Sequence, residues 1–209
     1  MELVNALAER YAEQFTTEDD KLLQTVIDET TANHAMPHML SGHVQGQFLS
    51  LLSCLLKPTY ILEIGTFTGY SALCLVKGLN DNGVLHTIDI RDEGAESYFK
   101  KSAYSGKIIF HIGDANEIIP SLKENWDIVF IDADKTGYIN YYDLILPAVK
   151  QNGLIIVDNV LFHGDVLEPE IKGKNAKAIH AFNEHIKNDV RVEQVLLTVR
   201  DGLLLLRKL

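Results

Sequence analysis

Cysteine is nearly absent. Cys54 and Cys74 are the two in 209 residues, and both lie in apolar helical contexts without metal-ligand spacing. No disulfide framework or thiolate site is expected, only buried, reduced thiols of a cytoplasmic protein. Positive charge is scarce too. Lys and Arg number 19 against 29 Asp and Glu, a formal net charge of -10, and no dense basic stripe breaks the pattern. That removes the electrostatic footprint of a nucleic-acid binder and favours a small or neutral substrate. Long apolar runs are missing, so no bilayer-spanning segment is expected. The opening stretch from Met1 to Arg10 lacks the basic flank and apolar run of a signal peptide. No repeat, low-complexity tract or linker divides the chain, and 46% hydrophobic with 23% charged residues suits a soluble globular protein. One domain over 1–209 is expected, with 1–43 as a helical arm and loop and 44–209 as the core.

What is present centres on the stretch from Tyr60 to Ser71. The apolar run Tyr60-Ile61-Leu62-Glu63-Ile64 leads into Gly65-Thr66-Phe67-Thr68-Gly69, and an amphipathic stretch, Ala72 to Leu79, follows. Strand, tight turn and helix are the reading. Glycine lets backbone approach a ligand closely, and the first turn of a helix offers free N–H groups to polar or anionic atoms. The third glycine of the dinucleotide fingerprint is missing, and Glu63 stands two residues before Gly65. A carboxylate there suits a ligand with amino and hydroxyl donors and a positive charge, as S-adenosylmethionine has.

Around this stretch the chain alternates. Leu3, Leu7, Tyr11 and Phe15 predict an amphipathic helix over 2–15, and Thr17-Glu18-Asp19-Asp20 caps a second through about Glu29. Residues 30–43 read as a loop with His34, His38 and His43, whose geometry no regular element fixes, so a metal reading is rejected. A helix from Val44 ends at Lys57-Pro58. After the glycine turn, strands are predicted at Val84 to Ile90, Lys107 to Ile112, Trp126 to Ile131 and Leu154 to Val157. Helices are predicted at Glu93 to Ala103, Ala115 to Leu122, Tyr138 to Val149 and Ala176 to Lys187. Such alternation over short loops predicts a parallel sheet covered on both faces. Val192 to Val199 and Leu203 to Arg207, joined by an Asp201-Gly202 turn, predict a final hairpin that adds an antiparallel strand.

Ligands of open α/β sheets bind outside the carboxyl ends of the strands. Polar residues stand at those ends throughout: Glu63, Asp89, Asp114, Asp132 with Asp134, and Asp158-Asn159. Asp89 suits a cofactor ribose or caps the next helix, and Asp114 borders an adenine or serves as an N-cap. If the fourth and fifth strands are neighbours, Asp132, Asp158 and Asn159 converge as three oxygen ligands. Hard oxygen donors without cysteine or histidine suit Mg²⁺ or Ca²⁺. Lys135, beside such a cation and partly desolvated, would have its pKa lowered and could take a proton from a hydroxyl. Tyr138, Tyr141 and Tyr142 read as packing rather than as a stacking platform.

Three motifs in order, Leu62 to Ser71, Ile131-Asp132-Ala133-Asp134-Lys135 and Val157-Asp158-Asn159-Val160-Leu161, give the chain a family likeness from about Met39 onward. It resembles the cation-dependent class I O-methyltransferases of the caffeoyl-CoA and catechol type. The resemblance implies a mostly parallel Rossmann-like sheet with an antiparallel C-terminal hairpin strand, helices on both faces and extra N-terminal helices. It implies S-adenosylmethionine as cofactor, contacted by Met39, Ser41, Glu63, Gly65, Phe67, Ser71, Asp89, Ala115 and Asp132. It further implies a divalent cation, Mg²⁺ before Mn²⁺ or Ca²⁺, on Asp132, Asp158 and Asn159, with Lys135 and Asp132 as catalytic residues. A homodimer is implied, and apolar stripes on the N-terminal helices agree. The chain departs from the family pattern between Asp89 and Gly113, from His163 to Lys177 and in its N-terminal arm, the last two being the parts that would select a substrate.

The expected reaction is in-line methyl transfer to an oxygen of a phenol or vicinal diol. A nicotinamide oxidoreductase is disfavoured by the missing glycine, and nucleic-acid methylation by the acidic balance. A non-catalytic cofactor-binding or scaffold domain is disfavoured by the intact acids and Lys135.

Overall fold

The computed structural model describes residues 4–209; Leu3, expected on the first helical stripe, lies outside them. The central strand β1, Tyr60–Ile64, is buried along nearly its whole length. It pairs in parallel with β2, Val84–Asp89, and with β4, Trp126–Ile131. Strand β3, Ile108–Ile112, lies outside β2, and β5, Val149–Val157, outside β4. The hairpin of β6, Val192–Leu197, and β7, Leu203–Lys208, completes the order β3-β2-β1-β4-β5-β7-β6. Strand β7 runs antiparallel to both β5 and β6. Chain order reverses between β1 and β4, the place where such sheets open a ligand crevice.

Side chains alternate across the pleat, so each strand feeds two cores. Leu62, Ile64, Val129, Ile131, Ile155 and Val157 face α7, Tyr138–Ile145, and α8, Lys174–Lys187. Ile61, Ile128, Phe130 and Ile156 face the other layer. That layer includes α2, Lys21–Asn33, α3, His43–Leu56, and the fully buried α4, Tyr70–Leu75. Helix α1, Ala6–Gln14, buries no residue, whereas α2 buries Leu23, Val26 and Thr30. Among the described residues, no helix is long and apolar enough to cross a membrane.

Several boundaries move for local reasons. Strand β5 begins at Val149, not Leu154, because Asn152 at φ 63 and Gly153 sit at a register shift opposite Trp126 and Ile128. The Asn152-Gly153 pair forms a bulge within the strand. Helix α5 is shorter than expected, Ala95–Lys101, starting after Gly94 at φ 100. Helix α6, Ala115–Ile118, and α7 both tighten into 3-10 turns at Pro120 and Pro147. The β6–β7 connection is not a two-residue Asp-Gly turn. It spans Thr198 to Gly202, closed by Gly202 N–H donating to Val199 O at 2.9 Å. Cys74 is buried as expected, but Cys54 is exposed, on an outer face of α3 shared with Leu51 and Leu55.

Candidate active site

The glycine turn brings the ends of β1 and β4 into contact. Gly65 adopts φ +100, and a Cβ there would lie 1.8 Å from Asp132 O, so only glycine fits. The ladder continues past the strands through Asp132 N–H to Ile64 O at 2.8 Å and Asp158 N–H to Ile131 O at 3.0 Å. These bonds set Asp132 and Asp158 side by side on neighbouring strand ends.

Asp89 anchors the turn. Its Oδ2 accepts from Thr66 N–H at 2.9 Å and Phe67 N–H at 2.8 Å, while its Oδ1 makes no hydrogen bond among the described residues. It caps no helix, so the capping alternative is corrected: a second strand end can hold its neighbour's loop as well as a ligand. Phe67, held at φ 48, carries the edge of the His34 ring at 4.6 Å. Asp114 is the N-cap of α6, accepting from Asn116 N–H at 2.8 Å.

Glu63 is fully buried beneath this turn. Thr87 OH donates to its Oε2, and among the described residues Oε1 has no hydrogen-bond partner. Burial pushes its carboxyl up to about 8, against the hydrogen bonds that hold it down. An unpartnered buried oxygen costs about 1–3 kcal/mol, a deficit a ligand's donor would relieve.

Across the crevice, Lys135 Nζ donates to Asp132 Oδ1 at 2.9 Å, Asn159 Oδ1 at 2.6 Å and Tyr138 OH at 2.7 Å. Tyr138 OH in turn donates to Asp158 O at 3.1 Å. Asp158 is 3% exposed; its Oδ2 accepts from Gln45 Nε2 at 2.6 Å and its Oδ1 from Asn159 N–H at 2.7 Å. Burial, and then the negative charge of Asp132, raise its carboxyl to about 7. Asn159, at φ 57, sends Nδ2 to Asp201 Oδ2 at 3.3 Å, which turns its oxygen toward Lys135. An ammonium is thus already held between Asp132 and Asn159, and their oxygens suit a hard cation. Among the described residues no three His, Cys, Asp or Glu side chains cluster to hold a metal. The third donor of this set is an amide.

Met39, Ser41, Gly65, Phe67, Ser71, Asp89, Ala115, Asp132, Lys135, Asp158 and Asn159 all line one cavity of about 1090 Å³. Glu63 is the sequence-selected residue outside its wall, because it is wholly covered. Asp134 turns aside to accept from Tyr141 OH and Thr136 OH. The three histidines do not meet: His43 bonds Asp19 at 2.9 Å, His34 lies 3.5 Å from Glu93, and His38 lines the cavity. Tyr138, Tyr141 and Tyr142 are buried, as packing predicts, yet their hydroxyls hold Lys135 and the carboxylates of Asp134 and Asp189. Sequence reasoning missed Tyr138 and Gln45 as site residues. Tyr138 is three residues past Lys135, a helical neighbour that spacing could have flagged; Gln45, 113 residues from Asp158, carried no signal.

Residues 13–209 match the O-methyltransferase family. A caffeoyl-CoA O-methyltransferase of Stellaria longipes is 32% identical over 194 residues, 86% of this chain and 80% of that one. The O-methyltransferase TomG of Streptomyces achromogenes, involved in tomaymycin synthesis and solved with SAM, superposes with a TM-score of 0.88 at 27% identity. That match covers 97% of this chain and 96% of TomG. An O-methyltransferase of Bacillus cereus, solved with SAH, gives a TM-score of 0.89 at 26% identity, covering 97% of each chain. Fold and site together define a methyltransferase-type α/β sheet with an acid-lined crevice. This chain belongs to the O-methyltransferase family.

Proposed function

We propose that this chain moves a methyl group from S-adenosylmethionine to a hydroxyl of a catechol-like or phenolic small molecule. The observation that carries this is Lys135 Nζ, bonded at once to Asp132, Asn159 and Tyr138 at the rim of the crevice. Asp132, Asp158 and Asn159 would hold a divalent cation, Mg²⁺ before Mn²⁺ or Ca²⁺. Such a cation, when bound, supplies a Lewis acid that orients two vicinal oxygens and favours the phenolate. S-adenosylmethionine supplies the methyl carbon on a sulfonium.

The chain's own residues do the rest. Lys135, in its neutral form, accepts the hydroxyl proton at Nζ. Tyr138 keeps that nitrogen aimed, and Gln45 and the Asn159 N–H orient Asp158. Glu63 Oε1 would take a donor from the cofactor once the turn that covers it shifts, and Asp89 Oδ1 suits a ribose hydroxyl. Met39, Ser41, Gly65, Phe67, Ser71 and Ala115 would line the cofactor, with Asp132 near its amine. Holding acceptor and methyl in line supplies most of the acceleration, since displacement needs no covalent intermediate.

Residues 1–209 work as one cytoplasmic domain without nucleic-acid or membrane partners. A second copy of the chain would cover the exposed Leu7 and Tyr11 of α1, Phe15 at its C-cap, and Leu51 and Leu55 of α3. Leu55→Asp should convert a dimer to a monomer in analytical ultracentrifugation; an unchanged sedimentation coefficient would remove this face from the interface. The central test is methyl transfer from S-adenosylmethionine to a simple catechol with Mg²⁺, then with excess chelator. Product that vanishes with chelator supports reaction and metal role together. Transfer that persists would make the acids structural.

A further inference from the structure

Of the lysines and arginines lining the cavity, Lys135 pairs with Asp132 and Arg91 with Glu93. Arg200 lines the same cavity and, among the described residues, forms no ion pair. Its position is built. Leu161 N–H donates to Asp201 O at 2.9 Å and Val160 N–H to Gly202 O at 3.2 Å, stitching the β6–β7 turn onto the loop that follows β5. That stitching holds Arg200 at φ 48, a left-handed conformation unusual for a long side chain and typical of functional turns.

The guanidinium crosses to the loop that opens α3. Nη1 donates to Leu40 O at 2.8 Å. It lies against Gly42, where a Cβ would come within 2.9 Å of Nη1 and 3.2 Å of Cζ, so a residue without a side chain makes its seat. One N–H is satisfied and, among the described residues, the others find no acceptor. The next residue, Asp201, accepts from Asn159 Nδ2 and from His163 N–H, which puts the Arg200 backbone beside the rim that holds Lys135. Apart from Arg200 and the paired Lys135 and Arg91, the charged groups on the cavity walls are acidic, Asp89, Asp132, Asp134, Asp158 and Asp201 among them. A neutral phenol would give this free cation nothing to do. A planar fork with unused donors matches a carboxylate.

We infer that Arg200 is a specificity residue that binds a carboxylate carried by the acceptor, so the preferred substrate is an acidic catechol. This rests on the phenolic reading above. The test is calorimetric binding of protocatechuate and of its uncharged amide to the Mg²⁺-loaded protein with S-adenosylhomocysteine, for the parent, Arg200→Gln and Arg200→Lys. The parent should bind the acid about tenfold more tightly than the amide. Arg200→Gln, which keeps a donor for Leu40 O, should erase that preference, and Arg200→Lys should keep part of it. Affinity for S-adenosylhomocysteine should stay within about twofold. A parent without preference for the acid, or a preference that survives Arg200→Gln, overturns the inference. Loss of S-adenosylhomocysteine affinity in Arg200→Gln also overturns it, assigning the guanidinium to the cofactor's own carboxylate. Binding needs no turnover: a parent that selects the acid yet methylates neither compound would sink the reaction and leave the Arg200 assignment standing.

Discussion

The two ends of the sheet treat the same chemical group in opposite ways. At the carboxyl ends, Asp158 and Glu63 are buried, and their carboxyls are driven up to about 7 and about 8. At the amino ends, Asp189 sits in a shallow depression of about 530 Å³ at the end of α8. Arg191 holds it at 2.6 Å, Tyr142 OH donates to it at 2.8 Å, and its carboxyl falls well below the usual range. A carboxylate given a fork and a hydroxyl is finished. One buried with an open oxygen, or beside another acid, is waiting for a cation or a donor. That difference locates the chemistry better than cavity shape alone does.

The largest way to break the comparison lies at the rim. Lys135→Ala should lower turnover by roughly 10²–10⁴-fold while cofactor affinity stays nearly constant, read by kcat and by calorimetry. Asp158→Ala should instead raise the Mg²⁺ concentration needed for half-maximal rate, by at least about tenfold. Equal loss of cofactor binding in both variants would contradict the separate roles.

Glu63→Gln comes next. It should weaken cofactor binding about tenfold by titration calorimetry, because a neutral amide replaces an ionisable acceptor. It also changes stability. Glu63 has a folded pKa raised from 4.5 to about 8, so the folded state holds a proton the unfolded chain has lost. The cofactor-free protein should therefore lose stability as pH rises from about 4.5 to about 8 and level off above, and Glu63→Gln should flatten that slope in thermal melts.

The smallest effect belongs to the amino end. Asp189→Ala should cost about 1 kcal/mol, since Arg191 is largely exposed and solvent screens the pair. Its pH sign is opposite: a depressed carboxyl stabilises above its unfolded pKa near 3.8 and loses that stability as pH falls. Activity should be unchanged, and a loss of turnover would end the contrast between the two ends.

Much of the site was legible because it is local in sequence. The apolar run into Gly65, the Asp132 to Lys135 run and Asp158-Asn159 each sit where a strand stops, and strand periodicity alone marks those stops. The oxygen trio depends on the adjacency of β4 and β5, which the ladder Ile131↔Val157 supplies and no local stretch of sequence encodes. Other partners were hidden by distance. Gln45 reaches Asp158 from a helix on another layer, and Asp89 turned out to brace the glycine loop from the neighbouring strand. Boundaries slipped where proline or a bulge redirected backbone without changing the apolar pattern, as at Asn152 and Pro147.

Composition, periodicity and spacing by themselves determined an acidic α/β chain with a parallel sheet and oxygen-rich strand ends, because those properties depend on neighbours a few residues apart. Only the tertiary structure decided which acids are left open and which are paired. It also brought Gln45 to Asp158 and aimed the Arg200 guanidinium across the mouth from a five-residue turn. Those outcomes come from bonds between residues 113 and 160 positions apart, Gln45 to Asp158 and Arg200 to Leu40. Burial and hydrogen-bond satisfaction are properties of the packed layers, and no stretch of the chain carries them alone.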